Sequence, residues 1–134
     1  METVLIIDDD QIQHFTIEKT IQRHGFSKHV ISFHNGYDAL NFLHENLDCP
    51  EILPDIIFLD LNMPVISGWQ FLQQFAVIKS RTKKKIKVYV VSSSIIESDV
   101  KRAIANKEVS GFIEKPFRLS ALIGVFSDSM VSFN

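Results

Sequence analysis

The chain alternates between short runs of apolar residues and longer stretches in which apolar residues recur at helical spacing. The short runs predict five strands, which cover residues 3–7, 29–33, 56–59, 88–91 and 111–114. The runs at 3–7, 56–59 and 88–91 are almost wholly apolar, as is typical of parallel strands buried on both faces. The run at 29–33 alternates between apolar and polar residues, so we expect it at or near an edge of the sheet.

A helix is predicted after each strand. The apolar stripes are Ile12 with Phe15 and Ile17 with Ile21 in the first helix; Ala39, Leu40, Leu43 and Leu47 in the second; Phe71, Leu72, Phe75 and Ile78 in the third; Val100, Ala103 and Ile104 in the fourth; and Leu119, Leu122, Ile123, Phe126 and Met130 in the fifth. The first helix, over about residues 11–24, has the weakest periodicity. Strands that alternate with helices predict an α/β fold with parallel strands and right-handed crossovers, which place helices on both faces of the sheet.

Several residues carry signals for helix ends. Asn35 is a suitable N-cap for the second helix. Ser94 and Glu97 fit a capping box for the fourth helix. Gly25 is placed to end the first helix, and Asp10 suits its N-terminus.

Four of the predicted strands end in a chemically useful group. Asp8 and Asp9 follow the first strand, Asp60 the third, Ser92 the fourth and Lys115 the fifth. In an open α/β sheet, ligands bind outside the carboxyl ends of the strands. Converging carboxylates repel one another unless a cation neutralises them, and a few carboxylates with water suit Mg²⁺. We therefore expect a Mg²⁺ site at this edge, with Mn²⁺ as a substitute.

Composition limits the class of protein. The 134 residues fit one domain, and 46% apolar with 22% charged residues is typical of a soluble globular protein. A net charge of -2 gives no reason to expect nucleic-acid binding. No apolar run approaches the ~20 residues that span a bilayer, so we expect no membrane insertion. A single cysteine, Cys49, is typical of a protein of the reducing cytoplasm.

The order of acid pair, acid, hydroxyl and lysine at successive strand ends resembles the receiver domains of bacterial two-component response regulators. The resemblance runs from Thr3 to about Val131. It implies a (βα)5 flavodoxin-like fold, a doubly wound sandwich with strand order 2-1-3-4-5. Because the chain ends soon after the fifth predicted helix, we expect residues 1–134 to form a single receiver domain without an output domain.

The resemblance implies that Asp60 is the phosphoacceptor, which takes a phosphoryl group from a histidine kinase or a histidine phosphotransfer protein. A carboxylate can attack phosphorus and form an acyl phosphate. Lys115 supplies a compact positive charge for the phosphoryl group, and Ser92 supplies a hydroxyl donor. The peptide bond between Lys115 and Pro116 is expected to be cis, as in the family. Such a protein is a phosphoacceptor that slowly loses its phosphoryl group, and not a turnover enzyme.

The resemblance also assigns metal ligands and residues that set the lifetime of the acyl phosphate. The ligands are the carboxylates of Asp8, Asp9 and Asp60 and the backbone carbonyl of Asn62, with Asp9 the stronger direct ligand and Asp8 acting through water. The lifetime is tuned by Asn62 and Ser94. Both side chains are small and polar and leave room for an attacking water, so we expect a moderate lifetime.

Signal output is expected to start at Ser92 and Phe112. On phosphorylation Ser92 moves toward the phosphoryl group and the strand aromatic, Phe112, follows it inward. The population then shifts between two packings of the face formed by the fourth helix, the fifth strand and the fifth helix. A protein target that the sequence does not identify binds this face, with a monomer or a phosphorylation-dependent dimer as the acting form.

Two other interpretations remain open. A hydrolase of the haloacid dehalogenase type would use Asp8 and Asp10 as its Asp-x-Asp motif. Ile12 stands where that family usually has threonine or valine, no cap domain is present, and Asp60 would have no role. A degenerate receiver that only binds partners would not need the complete set of acids, serine and lysine.

The remaining polar and aromatic residues have simpler interpretations. The histidines show no metal-like clustering and are read as surface or helix-end residues: His14, His24, His29, His34 and His44. Trp69 and Tyr37 are read as packing residues. The basic run at 81–85 is read as a solvated segment near a helix C-terminus, where cations are favoured, and not as a nucleic-acid patch.

Overall fold

Strands and helices alternate along the whole described chain. The computed structural model describes residues 3–27, 29–63, 65–93, 96–116 and 118–131, with side chains as far as Ser127. The strands are β1 (Thr3–Ile7), β2 (His29–Phe33), β3 (Ile56–Asp60), β4 (Lys87–Ser92) and β5 (Val109–Glu114). The helices are α1 (Gln11–Arg23), α2 (Gly36–Glu45), α3 (Gly68–Ser80), α4 (Glu97–Ala105) and α5 (Leu119–Val131).

In this part of the chain the strands form one parallel sheet in the order β2-β1-β3-β4-β5. The (βα)5 flavodoxin-like fold expected from the sequence is therefore confirmed. The alternating strand β2 lies at an edge, as predicted, and the almost wholly apolar strands β1, β3 and β4 lie inside the sheet.

Each face of the sheet has its own apolar core. Strand side chains alternate between the two faces, so consecutive residues of β1 and β3 enter different cores. One core joins the sheet to α2 and α3 and includes Leu5, Ile57, Leu43, Phe71 and Phe75. The other joins the sheet to α1 and α5 and includes Ile6, Phe58, Ile17, Leu122 and Phe126. Each fully buried side chain of this size contributes about 1.5–3 kcal/mol, so these cores hold the helices on the sheet.

Strands β4 and β5 begin earlier than predicted. The Lys87 N–H donates to the Asp55 carbonyl oxygen (3.0 Å), and Lys87 pairs with Ile56 of β3. Val109 pairs with Val88 of β4. A lysine at the start of β4 interrupts the apolar pattern, which is why the sequence placed this boundary one residue late.

Helix α4 differs from its prediction at its N-terminus and in its buried face. The capping box expected from Ser94 and Glu97 is wrong, because the N-cap of α4 is Ile96 and Glu97 is the first residue of the helix. Ile96 makes no side-chain capping bond. Ser94 itself lies outside the described residues. Ile104, expected in the apolar stripe, is 74% exposed, and Ala103 is the buried residue of this helix. In α5, Val125 is buried in place of the predicted Ile123.

The other helix ends follow their capping signals. The Asn35 side chain accepts from the Asp38 N–H (2.8 Å), and Gly25 follows α1 with a φ of 66°. A capping box that the sequence analysis missed starts α3, where Ser67 and Gln70 bond to each other's backbone N–H groups (3.2 and 2.8 Å). None of the helices in the described ranges is long and apolar enough to cross a membrane.

Candidate functional site

The carboxyl ends of four neighbouring strands bring the predicted site residues to one edge of the sheet. Ile7 of β1 pairs with Leu59 of β3, so the residues that follow them, Asp8 and Asp60, lie side by side. On the other side of β3, Ser92 ends β4 and pairs with Glu114, the last residue of β5. Parallel pairing therefore places the acids beside the end of β4, with the lysine at the end of the next strand, β5.

Asp8, Asp9 and Asp60 form an acidic cluster at this edge. Each offers a carboxylate oxygen, and these oxygens lie within 4.8 Å of one another. Asp8 and Asp60 are 2% and 4% exposed, whereas Asp9 is exposed to solvent. Two buried carboxylates and one that is open to solvent fit a hard divalent cation that keeps some of its bound water. The convergence of the three acids agrees with the prediction.

Lys115 enters this cluster from β5. Its ammonium nitrogen lies 2.9 Å from Oδ2 of Asp8 and 3.5 Å from Oδ2 of Asp60. Its backbone N–H donates to the carbonyl oxygen of Ser92 (2.8 Å), which fixes the start of the loop after β5. The Lys115–Pro116 peptide bond is cis, as expected. The cluster therefore contains a cation within ion-pair distance of two carboxylates.

Burial and the neighbouring charges set the ionisation of Asp60 and Lys115. Burial raises the pKa of Asp60 to about 6; the charge of Asp8 also raises it, while the Asn62 N–H and the charge of Lys115 lower it. Burial alone would lower the pKa of Lys115, but the hydrogen bond to Asp8 and the charge of Asp60 raise it above its ordinary value. Lys115 therefore carries its positive charge at neutral pH. Further positive charge beside Asp60 would favour the ionised form of its carboxyl group.

The loop after β3 holds Asp60 through its backbone. The Asn62 N–H donates to Oδ1 of Asp60 (3.1 Å), and the Gly68 N–H donates to the Leu61 carbonyl oxygen (3.0 Å). A Cβ atom at Gly68 would lie 2.7 Å from Leu61 Cα and 2.8 Å from the Asp60 carbonyl oxygen. Only glycine therefore lets the start of α3 approach the Asp60 backbone so closely.

Asp10 has a structural role, as expected. Its N–H donates to Oδ1 of Asp8 (2.9 Å), and its own Oδ1 accepts from the Ile12 N–H (2.9 Å) as the N-cap of α1. This capping occupies the carboxylate that the hydrolase interpretation would use as its second acid. The structure thus favours Asp60, and not Asp10, as the partner of Asp8.

His14 corrects the sequence analysis, which read it as a surface residue. It is 5% exposed, and its Nε2 contacts the backbone carbonyl oxygen of Asp8. Its ring edge meets the ring of His34 at a centroid distance of 4.8 Å. The signal was available, because His14 lies three residues before Ile17 and seven before Ile21, on the face of α1 that is buried.

The residues predicted to carry the signal are Ser92, the last residue of β4, and Phe112, which lies within β5. Ser92 is fully buried at the end of β4. Phe112 is half-buried and packs against the core shared with α2 and α3. Ser94, predicted to tune the lifetime, lies outside the described residues. The role of the Asn62 carbonyl as a metal ligand stays a prediction; the side chain of Asn62 is exposed.

The fold and the site define a class: an open parallel α/β domain with a cluster of three acids and a lysine at the carboxyl edge of the sheet. The family model for the response regulator receiver domain matches residues 4–126. The chain therefore belongs to the response regulator receiver domain family, whose members act in two-component signalling.

Individual relatives agree with this assignment. A crystal structure of a two-component response regulator from Cytophaga hutchinsonii superposes with a TM-score of 0.86 at 32% identity, over 96% of both chains. The probable methanogenesis regulatory protein FilR2 of Methanothrix harundinacea is 27% identical over 89% of this chain and 75% of its own length. The hybrid signal transduction histidine kinase I of Dictyostelium discoideum is 24% identical over 98% of this chain but only 7% of its own length. Some relatives are therefore far longer than this chain.

Proposed function

We propose that this receiver domain accepts a phosphoryl group on Asp60 from a histidine kinase or a histidine phosphotransfer protein. The observation that carries the proposal is the position of Asp60, which lies within 4.8 Å of the Asp8 and Asp9 oxygens and 3.5 Å from the Lys115 ammonium. A nucleophilic carboxylate, a cation site and a fixed positive charge are what phosphoryl transfer to an acid requires.

The transfer exchanges one bond for another. An Asp60 oxygen attacks the phosphorus of a phosphohistidine; the new P–O bond forms as the P–N bond breaks, and the electron pair stays on the histidine nitrogen, which takes up a proton. Lys115 neutralises charge on the transferred oxygens, and the Ser92 hydroxyl donates to one of them. Water later hydrolyses the acyl phosphate, releasing phosphate and restoring the Asp60 carboxylate.

The metal site is part of the proposal. The carboxylates of Asp8, Asp9 and Asp60, with the Asn62 carbonyl, would hold a divalent cation, and Mg²⁺ suits this set of oxygen donors, with Mn²⁺ as a substitute. A cation bound there would supply positive charge to the attacking carboxylate and to the phosphoryl oxygens. Burial and the charge of Asp8 raise the pKa of Asp60 to about 6, and a cation bound beside it would favour the charged carboxylate.

The proposed output surface is the face of α4, β5 and α5. Large apolar side chains are exposed on both helices that border it, namely Ile104 of α4 and Leu119 and Ile123 of α5. Phe112 belongs to β5 of this face and is half-buried. An inward movement of Phe112 would therefore change a surface that already offers apolar contacts to a protein partner.

The proposal assigns a signalling role in the cytoplasm without turnover catalysis, nucleic-acid binding or membrane insertion. The small net charge and the single cysteine support these assignments. The acting form is either a monomer or a phosphorylation-dependent dimer. Asn62 and Ser94 are proposed to give the acyl phosphate a moderate lifetime.

The donor class can be tested with phosphoramidate, a small molecule whose P–N bond resembles that of phosphohistidine. With Mg²⁺ present, ³¹P NMR is expected to show an acyl phosphate resonance on the wild type that is absent from Asp60→Asn and that disappears when the metal is chelated. A resonance that persists in Asp60→Asn would overturn the proposal.

A further inference from the structure

Several hydrogen bonds fix the β1–α1 turn, which carries the acid pair. The Asp8 N–H donates to the Phe33 carbonyl oxygen (3.1 Å), and the Asp10 N–H donates to the Asp8 side chain (2.9 Å). The His14 N–H donates to the Asp10 carbonyl oxygen (3.2 Å) in the first turn of α1. These bonds leave the carbonyl oxygen of Asp8 to be satisfied by another group.

The His14 side chain is that group. Its Nε2 contacts the Asp8 carbonyl oxygen, six residues earlier in the chain. A carbonyl oxygen only accepts hydrogen bonds, so the proton of this bond lies on Nε2. The other ring nitrogen, Nδ1, is buried and has no hydrogen-bond partner among the residues that the structure describes. Within the described part of the chain, one hydrogen bond therefore holds the ring, and its acceptor is a backbone atom of the acid pair.

The consequence of this bond concerns Asp9. The Asp8 carbonyl and the Asp9 N–H belong to one rigid, planar peptide unit. A bond to the carbonyl therefore fixes the orientation from which the Asp9 side chain leaves the backbone. Asp9 is exposed, and no hydrogen bond or ion pair of its carboxylate is found in the described part of the chain, so its backbone is what aims it toward Asp8 and Asp60.

We propose that His14 is a positioning residue for the divalent-cation site, which it acts on through the Asp8–Asp9 peptide. The inference rests on the proposed function, because it concerns the same cation. Groups that orient metal ligands without touching the metal typically change its affinity by about 10-fold or more when they are removed. Removal of His14 also leaves a buried carbonyl oxygen unpaired, which favours rotation of the peptide.

The test compares Mg²⁺ binding by calorimetry among the wild type, His14→Phe and His14→Gln, with His34→Phe as a matched control. Phenylalanine keeps the ring volume but loses the donor, whereas the glutamine side chain places an N–H near the position of Nε2. We expect Mg²⁺ to bind about tenfold more weakly to His14→Phe and within about threefold of wild type to His14→Gln and His34→Phe.

Amide NMR and thermal unfolding separate positioning from general stability. The Asp9 amide resonance is expected to move in His14→Phe and to return toward its wild-type position in His14→Gln. If His14→Phe does not fold, His14→Leu replaces it in the same comparison. Equal Mg²⁺ affinity in the wild type and the donorless variant, or equal weakening in the phenylalanine and glutamine variants, would overturn the inference. A wild type that binds no Mg²⁺ would instead overturn the proposed function.

Discussion

The ammonium group of Lys115 lies closer to Asp8, at 2.9 Å, than to Asp60, at 3.5 Å. The lysine is thus anchored by one acid of the cluster while it remains beside the carboxylate that we assign as the nucleophile. Both partners of the shorter pair are largely buried, with side-chain exposures of 13% and 3%. A buried pair of this kind differs from a surface salt bridge, because the loss of one partner leaves the other charge buried and uncompensated.

Lys115→Gln is therefore expected to destabilise the metal-free protein at neutral pH by about 3 kcal/mol. Urea unfolding without divalent cations measures this effect. The matched control is Lys101→Gln, because Lys101 pairs with Glu97 at a similar 3.1 Å but both side chains are exposed. Exposed pairs contribute at most about 1 kcal/mol. Equal losses in the two variants would contradict the buried role of Lys115.

The pKa of Asp60 predicts how stability depends on pH. The pKa is raised from 3.8 to about 6, so the folded state binds the Asp60 proton more tightly than the unfolded state does. Between these two values the folded protein holds more protons, and stability must fall as pH rises through that window. Each pKa unit corresponds to about 1.4 kcal/mol, so the full effect is at most about 3 kcal/mol.

This dependence can be isolated with Asp60→Asn, which removes the titrating group and keeps its shape. Without metal, wild-type stability relative to the variant is expected to fall by about 1–3 kcal/mol between about pH 4 and about pH 7. Mg²⁺ is expected to restore the stability of the wild type relative to the variant at the upper pH. A difference between the two proteins that stays constant over this range would show that burial does not raise the pKa of Asp60.

The sequence predicted most of this edge because its chemistry is local to the strand ends. Apolar runs located β1, β3 and β4, and parallel pairing then required the residues after them to converge. The apolar stripe of α4 was less informative. Ile104 matches helical spacing but is exposed, because the residue of α4 that is buried is Ala103. Arg102 of the same helix also packs on the protein, with its guanidinium 4.2 Å from the centre of the Trp69 ring.

Other features depended on contacts that no local pattern encodes. The burial of His14 requires a carbonyl oxygen six residues earlier to face the helix, which only the folded β1–α1 turn creates. The early start of β4 depends on a bond from Lys87 to the backbone of Asp55, more than thirty residues earlier. A single sequence could indicate that His14 is buried and that Lys87 is half-buried, but it could not identify the partner of either residue.

Gly68→Ala is expected to be strongly destabilising. Its Cβ would fall 2.7 Å from a backbone atom of Leu61, so α3 or the loop that carries Asp60 must shift. We expect a loss of about 2–4 kcal/mol, within the range for overpacking and backbone strain, together with weaker Mg²⁺ binding. Chemical denaturation and calorimetry measure the two effects.

Gly124→Ala is the control for this substitution. Gly124 lies on an exposed part of α5, and apart from its chain neighbours and the backbone of its own helix no atom of the described residues lies within 4 Å of the Cβ position. Alanine is a better helix former, so the control should be stabilised by about 0.5–1 kcal/mol. A Gly68→Ala protein as stable as this control would contradict the close contact between α3 and the Asp60 backbone.

Val65→Asn is expected to stabilise the protein. Val65 lies in the loop after β3 with a φ of 69°, and a β-branched side chain rarely adopts this left-handed conformation. The strain costs about 1–2 kcal/mol, of which asparagine should recover about half. Thermal unfolding checks the gain. Val77→Asn on α3 is also exposed but helical, so little change is expected there; equal effects at the two positions would argue against strain at Val65.

The most direct test of the central claim is the intact mass of the protein after incubation with Mg²⁺ and acetyl phosphate, compared among the wild type, Asp60→Ala and Asp8→Ala. Our account predicts one added phosphoryl group on the wild type, no adduct on Asp60→Ala and a reduced but detectable adduct on Asp8→Ala, since Asp8 only assists. An adduct that persists in Asp60→Ala and is lost in Asp8→Ala would contradict the assignment of Asp60 and favour a hydrolase that uses Asp8 as its nucleophile.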